Sequence, residues 1–199
     1  MAQDIILASG SAARALLLRN AGVAFTVQPA RVDEAAIRDG MTHDGAGPRE
    51  VAEALAEFKA RRVAESRPDA LVIGADQVLA LGDRVLAKPE TRDEARTQLL
   101  RLRGRPHRLL SAVAVFDEGA PLWRHVGVAT LTMRPFSDTY LDEYLDRNWN
   151  SVRDSVGGYK LEEEGVRLFN AIDGDFFTVL GLPLLPLLTF LTTRGVLAR

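Results

Sequence analysis

Apolar positions along this chain alternate between short solid runs and stripes of helical period. Ile5 to Ala8 is an apolar run that meets Ser9-Gly10-Ser11, after which Ala13 to Ala21 is rich in Ala, Leu and Arg and stops at Gly22. That order predicts a strand, a small-residue turn and a helix. Val23 to Val27 reads as a second strand, and the polar, glycine-containing stretch that follows, up to Gly47, as a surface loop or lobe. Pro48 suits the first turn of a helix; Val51, Leu55, Phe58 and Arg62 or Val63 follow at helical spacing, with Lys59 beside the stripe, to about Ser66. Leu71 to Ala75 is uninterrupted and apolar, as in a strand buried on both faces, and ends on Asp76.

Val78–Leu81 and Arg84–Ala87 flank Gly82-Asp83 as a hairpin. A two-residue turn there sets Gln77 opposite Lys88, and a one-residue bulge sets Asp76 there instead. Thr91 with Glu94 forms a capping box for a helix reaching Leu102. Arg108–Phe116 and His125–Arg134 are β-rich around Asp117-Glu118-Gly119, and Ser137 caps a helix to about Arg147. A strand over Val166–Ile172, the turn Asp173-Gly174-Asp175 and a closing helix over Leu184–Thr193 complete the chain. Alternating strands and helices give an α/β class with a mixed sheet flanked by helices.

Composition narrows the chemistry. The chain has 199 residues, 47% hydrophobic and 26% charged, which fits one ordinary globular domain, with room for a lobe. The formal charge of −2 supplies no global field for nucleic acid or an anionic membrane, so any anion site must be local. There is no cysteine, and the three histidines lack the spacing of a helical zinc pair, so a hard cation on carboxylates is the metal to expect. Asp4 precedes the first apolar run where a secretory signal would carry Lys or Arg, and a cytoplasmic protein is expected. The apolar stretch Phe176–Leu191 is shorter than a bilayer span and holds Gly181, Pro183 and Pro186, so it reads as a buried strand-turn-helix.

Ser9-Gly10-Ser11-Ala12-Ala13-Arg14 sits where a strand hands over to a helix, so backbone N–H groups, two hydroxyls and the helix dipole can converge on phosphate, with Arg14 as clamp. An ordinary turn with an exposed Arg has the same local sequence. Asp76, at the end of a fully apolar strand, stands where α/β proteins place ligand groups, although an Asp that caps a turn would look alike. By local pattern Lys59 snorkels to water, Glu34 is a solvated loop acid, and Glu162-Glu163-Glu164 is a charged surface turn of which only one member is expected to face a site. His107 decorates a strand edge, and Trp123 and Trp149 belong to core or interface.

Together, Leu7-Ala8-Ser9-Gly10-Ser11 with Arg14, Val32-Asp33-Glu34, Lys59, Gly74-Ala75-Asp76-Gln77-Val78, Lys88-Pro89, Arg134-Pro135-Phe136-Ser137 and Asp173-Gly174-Asp175 through Gly181-Leu182-Pro183-Leu184 resemble the Maf family of septum-formation-type nucleoside triphosphate pyrophosphatases. The resemblance spans Ile5 to Leu191. It implies a single domain over residues 1–199, with two lobes around a central cleft as in inosine triphosphate pyrophosphatase-like folds. It further implies a cytoplasmic homodimer that hydrolyses the α–β phosphoanhydride of nucleotides with Mg²⁺ or Mn²⁺, and no nucleic-acid or membrane partner. Carried over by position, Ser9, Ser11, Arg14, Lys59 and Lys88 bind substrate, Asp76 is the catalytic base, and Asp76 with Glu34 holds the metal. The family's usual Pro-Arg before Arg14 is replaced by Ala12-Ala13. Gln77 and Glu162 resemble the branch that prefers 7-methyl-GTP, so Ala13, Gln77 and Glu162 are the specificity positions. The missing cation at Ala13 leaves a second reading, a nucleotide-binding regulatory protein of impaired catalysis linked to cell division.

Overall fold

The computed structural model describes residues 3–198 and shows the expected α/β class, a seven-stranded mixed sheet with helices on its faces. In chain order the elements are β1 (Ile5–Leu7), α1 (Ala12–Asn20), β2 (Thr26–Val27), α2 (Glu34–His43), α3 (Pro48–Ala64), β3 (Leu71–Leu81), β4 (Arg84–Leu86) and α4 (Arg92–Leu102). There follow β5 (Pro106–Asp117), β6 (Ala120–Met133), α5 (Asp138–Val152), β7 (Phe169–Asp173), α6 (Phe176–Val179) and α7 (Leu184–Thr193). The sheet runs β2-β1-β3-β5-β6-β7, with β4 on β3. β1 is parallel to β2 and β3, and every other pair is antiparallel.

β3 is paired unequally on its two edges. On one edge it pairs with β5 from Val72 to Ala80. On the other, β1 covers Leu71–Ile73 and β4 covers Leu79–Leu81, which leaves Gly74 to Val78 without a strand partner. Asp76 therefore stands mid-strand beside a gap in the sheet, rather than at a strand terminus as the apolar run suggested. Pairing with β5 holds the segment extended straight through the polar Asp76-Gln77 pair. The β3–β4 register is that of a two-residue turn, with Leu81 opposite Arg84.

Three apolar clusters hold the molecule together. On one face, Val51, Leu55, Ala56, Ala60 and Val63 of α3 pack on Ile6, Val72, Ala112 and Phe116. The helix approaches closely because β3 carries Gly74 beneath it: a Cβ there would lie 2.7 Å from Ala60 Cβ and 2.6 Å from its backbone nitrogen. On the opposite face, α1 and α7 cover Leu7, Leu71, Ile73 and Val113. The third cluster joins α4 and α5 to the far ends of β3, β5 and β6 through Leu99, Leu102, Tyr144 and Leu131. Each fully buried leucine contributes roughly 1.5–3 kcal/mol relative to exposure.

Several expectations change. The polar stretch before Gly47 contains α2, capped by Asp33, whose side chain accepts from the Ala36 N–H at 3.0 Å. Ile37 and Met41, four residues apart, lean on the α3 cluster. The Phe176–Leu191 stretch is two helices, not strand-turn-helix, because Asp175 caps α6 and the chain then turns at Gly181 into α7. Residues 164–168 form a 3₁₀ turn, so β7 starts only at Phe169. β2 is confined to Thr26–Val27, β6 begins at Ala120, and α5 runs on to Val152. His107 is no edge ornament. It is 2% exposed, with Nε2 2.7 Å from the Tyr159 hydroxyl, and desolvation by burial pushes its pKa down to about 4.

Candidate active site

A cleft of about 1070 Å³ opens over the gap beside β3, between α1–α3 on one side and the end of α5 with the segment after it on the other. Every candidate residue lines it: Ser9, Ser11, Ala13, Arg14, Glu34, Lys59, Asp76, Gln77, Lys88 and Glu162. Strand alternation sets the side chains. Val72, Gly74 and Asp76 face α3, where Lys59 projects from the buried stripe one residue before Ala60. Leu71, Ile73, Ala75 and Gln77 face the other way, toward α1, α6 and α7.

The centre of the cleft is a triad of charges. Lys59 Nζ lies 2.5 Å from Asp76 Oδ1 and 2.8 Å from Glu34 Oε1. Lys59 and Asp76 are each 6% exposed, so the lysine does not snorkel to water as its stripe position suggested. A buried ammonium needs partners, and two carboxylates supply them. Glu34 is not a loop acid but the first residue of α2, where a negative charge also suits the helix dipole. Burial pushes the Glu34 carboxyl up; the charge and hydrogen bond of Lys59, with Lys88 and Arg14 beyond, outweigh it and hold the group below the usual carboxylate range. Asp76 Oδ2 makes no hydrogen bond to the described residues, so one oxygen remains free to accept a proton.

Arg14 is built in rather than displayed. Ser11 caps α1 by accepting from the Arg14 N–H, which points this first turn at the gap in the sheet. Arg14 as a residue is 8% exposed. Nη1 donates to Ser9 Oγ and to the Ala75 carbonyl, both at 2.9 Å, and Nε donates to the Gly181 carbonyl at 2.8 Å. The Ala75 oxygen is one that a neighbouring strand would otherwise satisfy. Desolvation lowers the Arg14 pKa against the pull of Asp76 and Glu34, and its charge is nevertheless retained, as for any guanidinium. Of five N–H bonds, the two on Nη2 are left for a ligand.

The opposite wall comes from Ser151 to Glu163. Glu162 is exposed there. Glu163 instead pairs with Lys160 at 3.1 Å and with Ser151, while Glu164 turns away to Arg147 and Asn148, which hold its pKa near 2. Tyr159 and Lys160, which neighbour Glu162 in sequence, also line the cleft, as do Ser151 and Arg38, to which no motif pointed. The spacing of Ile37 and Met41 after Asp33 was the available clue to α2, and so to Arg38 on it. Gln77 lines the cleft, but its amide nitrogen is engaged, at 3.0 Å from Ser111 Oγ, 3.1 Å from the Thr178 carbonyl and 3.0 Å from the Val179 carbonyl.

A family model described as Maf-like protein matches residues 4–194. This chain belongs to the Maf-like family. Among curated Maf-like relatives, a nucleoside triphosphate pyrophosphatase of Ruegeria pomeroyi is 53% identical over 197 residues, covering 99% of each chain. One of Caulobacter vibrioides is 51% identical over 97% of this chain and 96% of its own. A 7-methyl-GTP pyrophosphatase of Mesorhizobium japonicum is 47% identical over 99% of each. The family expected from the separated motifs is thus borne out. Among the described residues no group of three or more His, Cys, Asp or Glu is placed to hold a metal ion. Asp76 and Glu34 are two carboxylates that converge on the Lys59 ammonium, each with one oxygen on it and its second carboxylate oxygen available for a metal ion. That donor set fits a hard divalent ion, which characteristically takes one or two carboxylates and completes its shell with phosphate oxygens and water. No helix among the described residues is long and apolar enough to cross a membrane.

Proposed function

We propose that this nucleoside triphosphate pyrophosphatase cleaves the α–β phosphoanhydride of modified nucleotides, with 7-methyl-GTP as preferred substrate, to give the monophosphate and pyrophosphate. The observation that carries the reading is the buried Lys59–Asp76 pair, with half-buried Glu34 on the same ammonium and Arg14 beside it, at the floor of a cleft large enough for a nucleotide. A triphosphate brings several negative charges, and Arg14 Nη2, Lys59 and Lys88 supply positive charge where it accumulates in phosphoryl transfer. Ser9 and Ser11, at the N-terminus of α1, add hydroxyl and backbone donors. Asp76 accepts a proton from the attacking water at Oδ2 while Lys59 fixes Oδ1. Mg²⁺ or Mn²⁺, held by Asp76 and Glu34 with the phosphates, supplies further charge neutralisation when bound.

The base lies against the Tyr159–Glu163 wall. An exposed carboxylate at Glu162 suits a cationic methylated guanine or the N1–H and N2–H edge of guanine, and Ala13 leaves space opposite. The name of the M. japonicum relative supports this choice of base. The chain acts as one two-lobed domain over residues 1–199, as a cytoplasmic homodimer. Incubation of wild type and Asp76→Asn with Mn²⁺ and a panel of 7-methyl-GTP, dTTP, UTP and CTP tests the reading. Pyrophosphate release is expected to be fastest with 7-methyl-GTP and to fall by at least about 100-fold in the variant. Full activity of Asp76→Asn would refute the role of Asp76, and a preference for dTTP would refute the choice of base.

A further inference from the structure

Gln77 follows Asp76 on β3 and so points to the other face of the sheet, where its amide meets the segment Phe176–Gly181. That segment is bound at several points. Asp175 caps it, accepting from the Thr178 backbone at 2.9 Å and from the Thr178 hydroxyl. The Thr178 carbonyl accepts from the buried Ser111 hydroxyl at 2.7 Å, from Gln77 at 3.1 Å and from the Gly181 N–H at 3.1 Å. Gln77 also donates to the Val179 carbonyl. The segment ends at Gly181, whose φ of +98° turns the chain so that its carbonyl receives Arg14 Nε. A side chain at 181 would be strained, and its Cβ would stand 3.4 Å from Arg14 Nε and Nη2.

We infer that Gln77 is a positioning residue for Arg14: with Ser111 it clamps the Thr178–Gly181 turn, and through the Gly181 carbonyl it sets the orientation of the guanidinium that grips the phosphates. β3 thus carries the proposed base on one face and the anchor of the phosphate clamp on the other, in consecutive residues. The inference rests on the proposed phosphate role of Arg14 and assigns Gln77 a task distinct from reading the base. Its amide N–H groups are spent on carbonyls and a hydroxyl, so loss of Gln77 weakens every triphosphate alike.

Inorganic tripolyphosphate, which has no base, separates the two roles. Its affinity, measured by calorimetry with Mg²⁺, is expected to fall about tenfold in Gln77→Met, which keeps bulk but loses the donors, and in Ser111→Ala, which removes a second member of the same clamp. In the Arg14→Lys background neither change is expected to lower affinity further, because the group being positioned is gone. For the nucleotides, kcat/KM is expected to fall in Gln77→Met by the same factor for 7-methyl-GTP and dTTP. Unchanged tripolyphosphate affinity in both variants would overturn the inference, as would a full additive loss in the Arg14→Lys background. A selective loss for one nucleotide would make Gln77 a base reader instead. Failure of the proposed hydrolysis shows separately, as no pyrophosphate from wild type, while the tripolyphosphate titration still reads the clamp.

Discussion

The buried His107–Tyr159 pair makes stability depend on pH in a way that can be worked out. His107 holds Nε2 2.7 Å from the Tyr159 hydroxyl beneath the cleft wall, and desolvation lowers its pKa from 6.5 to about 4. The unfolded chain therefore takes up a proton near pH 6.5 that the folded chain accepts only near pH 4. Between these values the unfolded state binds more protons, so stability falls as pH falls, and the loss is complete below about pH 4. At about 1.36 kcal/mol per pH unit the whole window is worth about 3 kcal/mol. Carboxylates titrate in the same range, so the difference between wild type and His107→Gln isolates the effect, since glutamine keeps a hydrogen bond to Tyr159 and carries no titration. With an m-value of about 2–3 kcal/mol per M urea, the wild-type midpoint should drop by about 1 M more than that of the variant between pH 7.5 and pH 4. Circular dichroism at 222 nm reads it. Midpoints that shift in parallel would show that His107 is protonated as easily folded as unfolded, and would refute the buried, neutral imidazole.

Two other perturbations test the packing and the charges. Gly74→Ala would drive a Cβ onto the Ala56 carbonyl and to 2.7 Å from Ala60 Cβ, so destabilisation of about 3 kcal/mol is expected in urea unfolding, and an unchanged midpoint would show that α3 does not press on β3 as described. Chelation of divalent ions is expected to abolish pyrophosphate release, with recovery on adding Mg²⁺ or Mn²⁺. The melting temperature should fall only slightly on chelation, by the stabilisation that binding itself supplies, because Lys59 already compensates both carboxylates, and loss of the folded state on chelation would mean that the metal holds the fold.

Much of this protein was legible as sequence. Solid apolar runs and capped, periodic stripes located β3, α3, α4 and α7, because period and end signals are local properties of the chain. The ordered set of short motifs located the family and ten residues that share one cleft, since each motif carries its own chemistry wherever the chain leads it. Other features depended on partners distant in sequence. Asp76 ends an apolar run in one dimension, yet stands inside a continuous strand, because β5 pairs straight past it and the gap opposite arises only from where β1 and β4 stop. Lys59 and Glu34 carry the local pattern of solvated charges, and only the approach of α2 and β3 to α3 buried the lysine and set the half-exposed glutamate against it. Arg14 and Gln77 are bound to backbone carbonyls contributed by residues 75 and 178–181, and a carbonyl is present at every residue, so no side-chain pattern could have singled those out. The sequence determines which groups are available; which of them are withdrawn from water, and against what, is decided only when distant segments pack.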